Sequence, residues 1–191
     1  MRIAICGAHG VGKTTISRIL ADEFNLEVLP DVAVIAYQKW FIINEETPIE
    51  TQIWMTAKQL EYEKFTEKFV ADKCIFDYHV YAVALGMHEH VNSITKMIAL
   101  KNQSYNHVFY IHPEFPIEDD GVRSTNIEFQ KAVDDYYKQF LIENDIPFTI
   151  LTWSIEERKQ LAISKINHIE DIKSWIYTNK REINQTIISN K

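Results

Sequence analysis

Short apolar runs alternate along the chain with longer stretches in which apolar residues recur at helical spacing. The apolar runs are RIAIC at 2–6, LEVLP at 26–30, KCIFD at 73–77, HVFYI at 107–111 and FTIL at 148–151. Each run predicts a strand, and helical spacing predicts helices over 14–24, 32–43, 48–70, 78–101 and 127–143. The 78–101 stretch predicts two pieces divided near Gly86 or His90, and Ser154 with Glu157 predicts a capped final helix. Strands separated by helices predict an α/β fold with a five-stranded parallel sheet and helices on both faces.

The ends of the predicted strands are where a ligand is expected, because ligands of parallel sheets bind beyond the carboxyl ends of the strands. The positions at these ends are the segment from Gly7 onward, Asp31, Asp77 and the loop over 112–126. Within that loop, PEFPIEDDGVRSTN at 113–126 holds two prolines, a glycine and several turn formers. It predicts an exposed loop or lid.

Composition and charge narrow the class of protein. The 191 residues predict one domain over 1–191, with a polar tail over about 180–191. The net charge of −7 disfavours a protein that coats nucleic acid, since no basic surplus neutralises many phosphates. Cys6 and Cys74 predict buried, reduced thiols, and the seven histidines share no metal-ligand spacing. No apolar run is long enough for a membrane span, so a cytoplasmic protein without a membrane partner is expected; a homodimer stays open.

The segment GAHGVGKT at 7–14 matches G-x-x-x-x-G-K-[ST] between a predicted strand and a predicted helix. Glycines let backbone N–H groups converge on phosphate oxygens, and the N-terminus of the helix favours negative charge. Lys13 is expected to reach the β- and γ-phosphates, and the Thr14 hydroxyl to bind Mg²⁺. The residues predicted to bind ATP are Gly7, His9, Gly10, Val11, Gly12, Lys13, Thr14 and Thr15, with His9 acting through its backbone.

With this motif the chain resembles the P-loop NTP-binding superfamily. The motifs of GTPases have no counterpart, since EDDG at 118–121 and NKRE at 179–182 fit neither in residues nor in position. Motor ATPases usually carry an apolar strand that ends in paired acids, whereas KCIFDYH ends in one. The chain is similar to the nucleoside and nucleotide kinase group, in the branch of ribosylnicotinamide-kinase-like, thymidylate-kinase-like and polynucleotide-kinase-like proteins. The resemblance covers about residues 2–170 and implies a single P-loop domain with a lid.

This resemblance gives roles to three charged residues. Asp31 in LPD matches the acid that accepts the proton of the acceptor hydroxyl, and it also suits a helix N-cap. Asp77 in IFDYH matches the acid of the third strand that holds Mg²⁺, with an N-cap again as the alternative. Many relatives have an arginine directly after this acid, whereas Tyr78 and His79 follow here. Arg123 in DDGVR looks like the lid arginine that neutralises the transferred phosphoryl group; a solvated loop charge is the alternative.

The stretch TQIWMTAKQLEYEKF at 51–65 looks like the family helix whose Gln and Glu line the acceptor pocket. On that helix Gln52, Thr56, Gln59 and Glu63 form one polar stripe. Gln52, Gln59 and Glu63 are predicted to bind the acceptor, with an ordinary solvated face as the alternative. Tyr37 is a further candidate, since its ring can stack on a base, although an aromatic residue of the core needs no ligand.

The expected function is transfer of the γ-phosphate of ATP, with Mg²⁺, to a hydroxyl of a nucleoside, a nucleotide or a related ribosyl compound. Lys13, Asp31 and Arg123 are the predicted catalytic residues, and Thr14 and Asp77 the predicted metal ligands. The four arginines other than Arg123 lie outside the predicted strand-end loops. Two alternatives stay open. One is a kinase of a polynucleotide, acting on a 5′-hydroxyl end or a hydroxymethylated base in DNA; the other is a regulatory nucleotide-binding ATPase module.

Overall fold

The computed structural model describes residues 1–114 and 125–171, which form five strands and seven helices. The strands are β1 (Arg2–Cys6), β2 (Glu27–Leu29), β3 (Phe69–Ala71), β4 (His107–Tyr110) and β5 (Thr149–Ile150). The helices are α1 (Lys13–Phe24), α2 (Val32–Gln38), α3 (Ile49–Phe65), α4 (Ile75–Ala84), α5 (Glu89–Asn102) and α6 (Ile127–Glu143), followed by α7 over 155–171.

The five strands form one parallel sheet in the order β2-β3-β1-β4-β5. β1 is central: Ala4 pairs with Ala71 of β3 on one side and with Val108 of β4 on the other. Every residue of β3 and β4 is buried. Because successive side chains of a strand point to opposite faces, this burial means that both faces of the sheet are covered. The predicted fold class is confirmed, and the carboxyl end of β1 lies in the middle of the sheet edge.

The third strand lies earlier in the chain than predicted. It is β3, whereas the segment 73–77 contains a turn and the first residues of α4. An apolar run of this length fits a buried strand and a buried helix equally well, so its tertiary contacts decide. Gln59 Nε2 donates to Lys73 O at 2.8 Å, and Asp77 Oδ2 accepts from Cys74 N at 2.8 Å, which favours the start of a helix. The prediction of a strand that ends at Asp77 is therefore wrong.

Other elements have the predicted type with shifted bounds. Helix α2 ends at Gln38 rather than near 43, and α3 ends at Phe65 rather than near 70. The two helices predicted on either side of Gly86 are α4 and α5. The predicted capping box precedes α7, where Ser154 N donates to Glu157 Oε2 at 3.0 Å and Glu157 N donates to Ser154 Oγ at 3.3 Å.

The two cysteines are free, fully buried thiols whose Sγ atoms lie 3.5 Å apart. Burial raises the pKa of both thiols, so both are protonated near neutral pH. Their predicted burial is confirmed, although Cys74 is the N-cap of α4 and not part of a strand.

Two predicted segments lie largely outside the residues that the structure describes. Residues 115–124, which include Arg123 and most of the predicted lid, and the tail over 180–191 are not among the described residues. Within the described ranges, none of the helices combines the length and the apolar character that crossing a membrane requires.

Candidate active site

The phosphate loop, residues 7–14, runs from the end of β1 into the first turn of α1. Gly12 is the N-cap residue of α1 with a φ of 87°, so the N-terminus of α1 begins directly at the end of the loop. Gly7 has a φ of 136°, and a Cβ added there would lie 2.1 Å from Ile111 O. Backbone shape and close packing therefore both require glycine where the loop begins.

Lys13 lies within the concave side of this loop. Its residue is only 6% exposed, and Nζ donates to Gly7 O at 2.8 Å and also to Ala8 O. The positive charge of the Lys13 ammonium group therefore lies next to the backbone of the loop. Its position there agrees with the predicted contact between Lys13 and phosphate oxygens.

The acid beside Thr14 is Asp72, a residue that the sequence analysis missed. Asp72 directly follows Ala71, the last residue of β3, and Thr14 Oγ1 donates to Asp72 Oδ2 at 2.6 Å. A hydroxyl and a carboxylate oxygen thus meet at the N-terminus of α1. The sequence signal is VADK at 70–73, an acid that ends an apolar run and is followed by a cation.

The residue directly after this acid is the cation Lys73. It is 8% exposed, and Nζ lies 5.0 Å from the centroid of the Tyr81 ring. Tyr78 and His79, noted in the sequence as a departure, follow Asp77 within α4 and not the acid that comes after β3.

Asp77 occupies the third position of α4, where it accepts the hydrogen bond from Cys74 N. Burial raises the pKa of Asp77, and the charges of Lys13 and Lys73 oppose that increase. Asp77 is therefore not the N-cap that its sequence position suggested: the N-cap is Cys74, and the Asp77 carboxyl accepts from the backbone of that residue. Thr14 Oγ1 donates to Asp72.

Asp31 is the N-cap of α2, as its sequence position allowed. Its Oδ1 accepts from Ala33 N at 2.8 Å, and the residue is partly exposed beyond the end of β2. The charge of Asp31 is among the causes that raise the pKa of Tyr78, after burial. Asp31 therefore lies within electrostatic range of the neighbouring helix α4.

The polar stripe of α3 faces the interior of the protein and not solvent. Gln52, Thr56, Gln59 and Glu63 are each at most 3% exposed, so the alternative of a solvated face is wrong. Gln59 and Glu63 bind protein groups: Gln59 Nε2 donates to Glu63 Oε1 at 2.9 Å as well as to Lys73 O. They tie α3 to the turn that precedes α4.

A cavity lies between the phosphate loop, α2, α3, α4 and α6, and we call it the acceptor-side cavity. Its lining consists of His9, Ala33, Ile43, Asn44, Thr47, Gln52, Met55, Lys73, Asp77, Tyr78, Tyr81, Leu85 and Phe129. Of the residues predicted to bind the acceptor, this lining includes Gln52 alone. Gln52 Nε2 donates to Tyr78 O at 2.5 Å, which fixes the orientation of the amide. Tyr37 is 48% exposed and lies outside the lining.

The side chain of His9 contributes to this cavity, in addition to the backbone role predicted for it. His9 Nδ1 lies 3.0 Å from Tyr81 Oη, and the imidazole ring is 5.9 Å from the ring of Phe129, centroid to centroid. One residue of the phosphate loop therefore also forms part of the cavity wall.

Two further residues reach the phosphate loop from helices that are distant in sequence, and the sequence analysis did not select either. Gln130 Nε2 of α6 donates to His9 O at 2.7 Å, and Arg158 Nη1 of α7 donates to Val11 O at 2.9 Å. Both contacts span more than 100 residues, so no local pattern indicates them. Arg158 lies on α7, outside the strand-end loops as expected, and its side chain nevertheless reaches the phosphate loop.

We expect Glu63→Gln to flatten the dependence of stability on pH between about pH 4.5 and 7. Burial raises the pKa of Glu63 from 4.5 to about 7, against the hydrogen bonds from Tyr105, Gln59 and the Ile75 amide. The folded state therefore binds this proton more tightly than the unfolded state. The stability that the protonated carboxyl contributes is complete below pH 4.5 and is lost as the pH rises through 7.

Urea unfolding of the wild type and Glu63→Gln at pH 5 and pH 8 measures this effect. The glutamine oxygen can still accept from Ile75 N, and its NH₂ group can donate to Tyr105 Oη, so the amide imitates the protonated acid. Between the two pH values, the unfolding free energy of the wild type should fall by about 2.5 kcal/mol relative to the variant. Parallel pH profiles would contradict the buried, proton-binding carboxyl.

Comparison with known proteins shows to which family the chain belongs. The sequence profile of the AAA_28 family, described as an AAA domain, matches residues 2–158. A Methanocaldococcus jannaschii protein named "Putative adenylate kinase" is 36% identical over 70 residues, which cover 37% of this chain and 35% of that protein. The match thus spans about a third of the length of this relative.

Solved structures share the fold over most of the chain. The deoxyadenosine kinase from M. mycoides has a TM-score of 0.65 at 20% identity, covering 88% of this chain and 100% of that one. The NadR protein in complex with NR has a TM-score of 0.71 at 18% identity, covering 87% of this chain and 50% of that one. Thymidylate kinase from Candida albicans has a TM-score of 0.64 at 14% identity, with coverage of 88% and 92%. The chain belongs to the AAA_28 family and has the P-loop fold of nucleoside and nucleotide kinases.

Proposed function

We propose that the protein transfers the γ-phosphate of ATP, with Mg²⁺, to a hydroxyl of a nucleoside, a nucleotide or a related ribosyl compound. The acceptor-side cavity carries this proposal, because His9 of the phosphate loop lines it together with Gln52 and Asp77. A ligand in the cavity would lie beside the phosphates of the donor. Among proteins of the same fold, the deoxyadenosine kinase structure contains dCMP and dCDP, and the NadR structure contains NR.

On the donor side, the phosphate loop would bind the phosphates and Lys13 would exchange its carbonyl partners for phosphate oxygens. Thr14 Oγ1 and Asp72 Oδ2 lie 2.6 Å apart, and both are oxygen ligands of the kind that suits Mg²⁺. In such sites Mg²⁺ usually retains several waters and also takes phosphate oxygens as ligands. Among the described residues, no three His, Cys, Asp or Glu side chains are grouped as a metal site. A cation held jointly by the protein and the nucleotide would offset the charge of the phosphates.

On the acceptor side, Asp31 would accept the proton of the attacking hydroxyl. Its position after β2 and its hydrogen bond from the N–H of Ala33, a residue that lines the cavity, support this role. Gln52 would orient the acceptor: its NH₂ group is held by Tyr78 O, which leaves Oε1 to accept a hydrogen bond from a ligand N–H. Lys73 lines the same cavity and would stabilise negative charge between acceptor and donor.

A regulatory ATPase module is the second candidate, favoured by the description of the family as an AAA domain. β3, however, is followed by the single acid Asp72, and the next residue is Lys73. The paired acids that are usual in motor ATPases would place a second carboxylate there, next to the γ-phosphate. A cation at that position favours transfer to a bound acceptor over activation of water.

Release of ADP from Mg²⁺-ATP against a panel of acceptors tests the proposal. The panel contains nucleosides, nucleoside monophosphates, nicotinamide riboside, a 5′-hydroxyl oligonucleotide and hydroxymethyluracil-containing DNA. We expect a small-molecule acceptor to raise turnover well above the rate with ATP alone. Asp31→Asn should reduce that increase by about 100-fold, the usual contribution of a general base, without loss of ATP binding.

The choice of Asn separates chemistry from helix capping, because Asn and Asp cap helices equally well. Lys13→Ala serves as the donor-side control and should weaken ATP binding itself. Stimulation by the oligonucleotide or the modified DNA alone would establish the polynucleotide alternative. If every acceptor fails and slow ATP turnover is indifferent to Asp31→Asn, the ATPase module is the better description.

A further inference from the structure

Two carbonyl groups of the phosphate loop are each held by a buried side chain from a distant helix. His9 O accepts from Gln130 Nε2 of α6 at 2.7 Å, and Val11 O accepts from Arg158 Nη1 of α7 at 2.9 Å. Gln130 is 4% exposed and Arg158 is 2% exposed, so both donors are fixed by packing. A hydrogen bond from an immobilised side chain holds the peptide unit that accepts it in one orientation.

The orientation of a peptide unit decides where its N–H group points. In a trans peptide, the C=O of one residue and the N–H of the next point in opposite directions, and the described chain has no cis peptide bond. When Gln130 holds His9 O, the N–H of Gly10 is directed away from Gln130. When Arg158 holds Val11 O, the N–H of Gly12 is directed away from Arg158.

The peptide units before Gly10 and Gly12 need these hydrogen bonds to keep one orientation. Gly10 and Gly12 have φ values of 74° and 87°, and glycine populates such angles about as readily as negative ones. Without an external hold, the peptide units before these glycines can rotate and turn a carbonyl oxygen toward the bound anion. A carbonyl oxygen repels phosphate where an N–H group would bind it.

Arg158 is itself held on its other side. Its Nη2 forms an ion pair with Glu114 Oε2 at 3.0 Å, and the same oxygen accepts from Trp153 N at 2.9 Å. Glu114 Oε1 lies 3.2 Å from His112 Nε2. The guanidinium therefore bridges Val11 O and Glu114, a geometry that its planar fork permits and that a lysine ammonium cannot reproduce equally well.

We propose that Gln130 and Arg158 are positioning residues that preorganise the amides of Gly10 and Gly12 for the phosphates of the nucleotide. The inference rests on the donor half of the proposed function, the binding of phosphate in the loop, and does not depend on the identity of the acceptor. Neither side chain needs to touch the nucleotide. Each acts through the peptide unit that it holds.

Calorimetric titration of the full chain with Mg²⁺-ADP and with inorganic triphosphate tests this proposal. The variants are Gln130→Met, which keeps the length and loses the hydrogen bonds, and Arg158→Lys, which keeps the charge and loses the bridge. Each should bind both ligands about tenfold more weakly, the loss that corresponds to one preorganised hydrogen bond. The matched controls are Gln139→Met, exposed on α6, and Lys159→Met, partly exposed on α7; both should bind as the wild type does.

Urea unfolding of the same variants without ligand separates positioning from simple structural support. A purely structural role would lower the unfolding free energy and leave the affinity of the folded protein within twofold of the wild type, which would overturn the proposal. If one of the two variants fails to fold, the other decides, because each holds a different peptide unit. A wild type that binds Mg²⁺-ADP but phosphorylates no acceptor would refute the kinase and leave this inference intact.

Discussion

Asp72→Asn should reduce phosphoryl transfer by about 100-fold or more and raise the Mg²⁺ concentration that gives half-maximal activity. The carboxylate of Asp72 receives the hydrogen bond from Thr14 Oγ1 at the end of β3. An amide in its place carries no charge, so it would bind a cation more weakly, while a hydrogen bond to Thr14 stays available. The measurement is a Mg²⁺ titration of ADP release with the acceptor that the panel identifies, or of ATP turnover alone if none does.

Asp77→Asn is the matched comparison, since the sequence favours this acid as the metal ligand. Its amide oxygen can still accept from Cys74 N, the bond that begins α4. We expect the Mg²⁺ concentration for half-maximal activity to equal that of the wild type in this variant, whatever happens to its stability. Normal Mg²⁺ dependence in Asp72→Asn together with a shifted Mg²⁺ dependence in Asp77→Asn would indicate that Asp77, and not Asp72, binds the metal.

Gly7→Ala should destabilise the protein by about 4 kcal/mol, the sum of a strained left-handed φ and an overpacked contact. The added Cβ would lie 2.1 Å from Ile111 O at a φ of 136°. The obstacle is backbone, and it is fixed, because Ile111 N donates to Cys6 O at 2.9 Å. Thermal unfolding should show a midpoint lower by about 10 °C for a domain of this size, or a chain that does not accumulate in folded form.

Gly86→Ala isolates the backbone contribution to this effect. Gly86 has a φ of 64°, and an added Cβ there meets nothing within 4 Å. The cost should be confined to the left-handed conformation, about 1 to 2 kcal/mol. Equal destabilisation by the two substitutions would show that the contact with Ile111 O relaxes, and that the entry into the phosphate loop is less tightly packed than the structure indicates.

The place of the phosphate loop between β1 and α1 could be predicted because its motif consists of consecutive residues. Gly7, Lys13 and Thr14 are recognisable together, and the alternation of strands and helices supplies their context. The acid partner of Thr14 was harder to predict. β3 has only three residues, Phe69–Ala71, and this is too few for periodicity to separate it from the apolar start of α4.

Residues that act through long-range contacts could not be predicted at all. Gln130 and Arg158 are ordinary polar residues of amphipathic helices until the fold brings them to His9 O and Val11 O. The polar stripe of α3 shows a related difficulty. The helical spacing of polar residues does not reveal whether they face a ligand, solvent or another part of the protein. Gln59 and Glu63 have the spacing of a ligand-binding face, and they bind the protein's own turn.

The hydrogen bonds of α3 also limit how this protein can evolve. Gln59 donates to Lys73 O and Glu63 accepts from Ile75 N. The C-terminal half of α3 is therefore joined to the turn that contains Asp72. Under the proposed function, substitutions at these two positions would alter acceptor preference only together with the geometry of phosphoryl transfer. Gln52 and Met55, one to two turns earlier, line the cavity without that coupling. Under the proposed function, changes of acceptor preference should therefore arise most readily at positions 52 and 55.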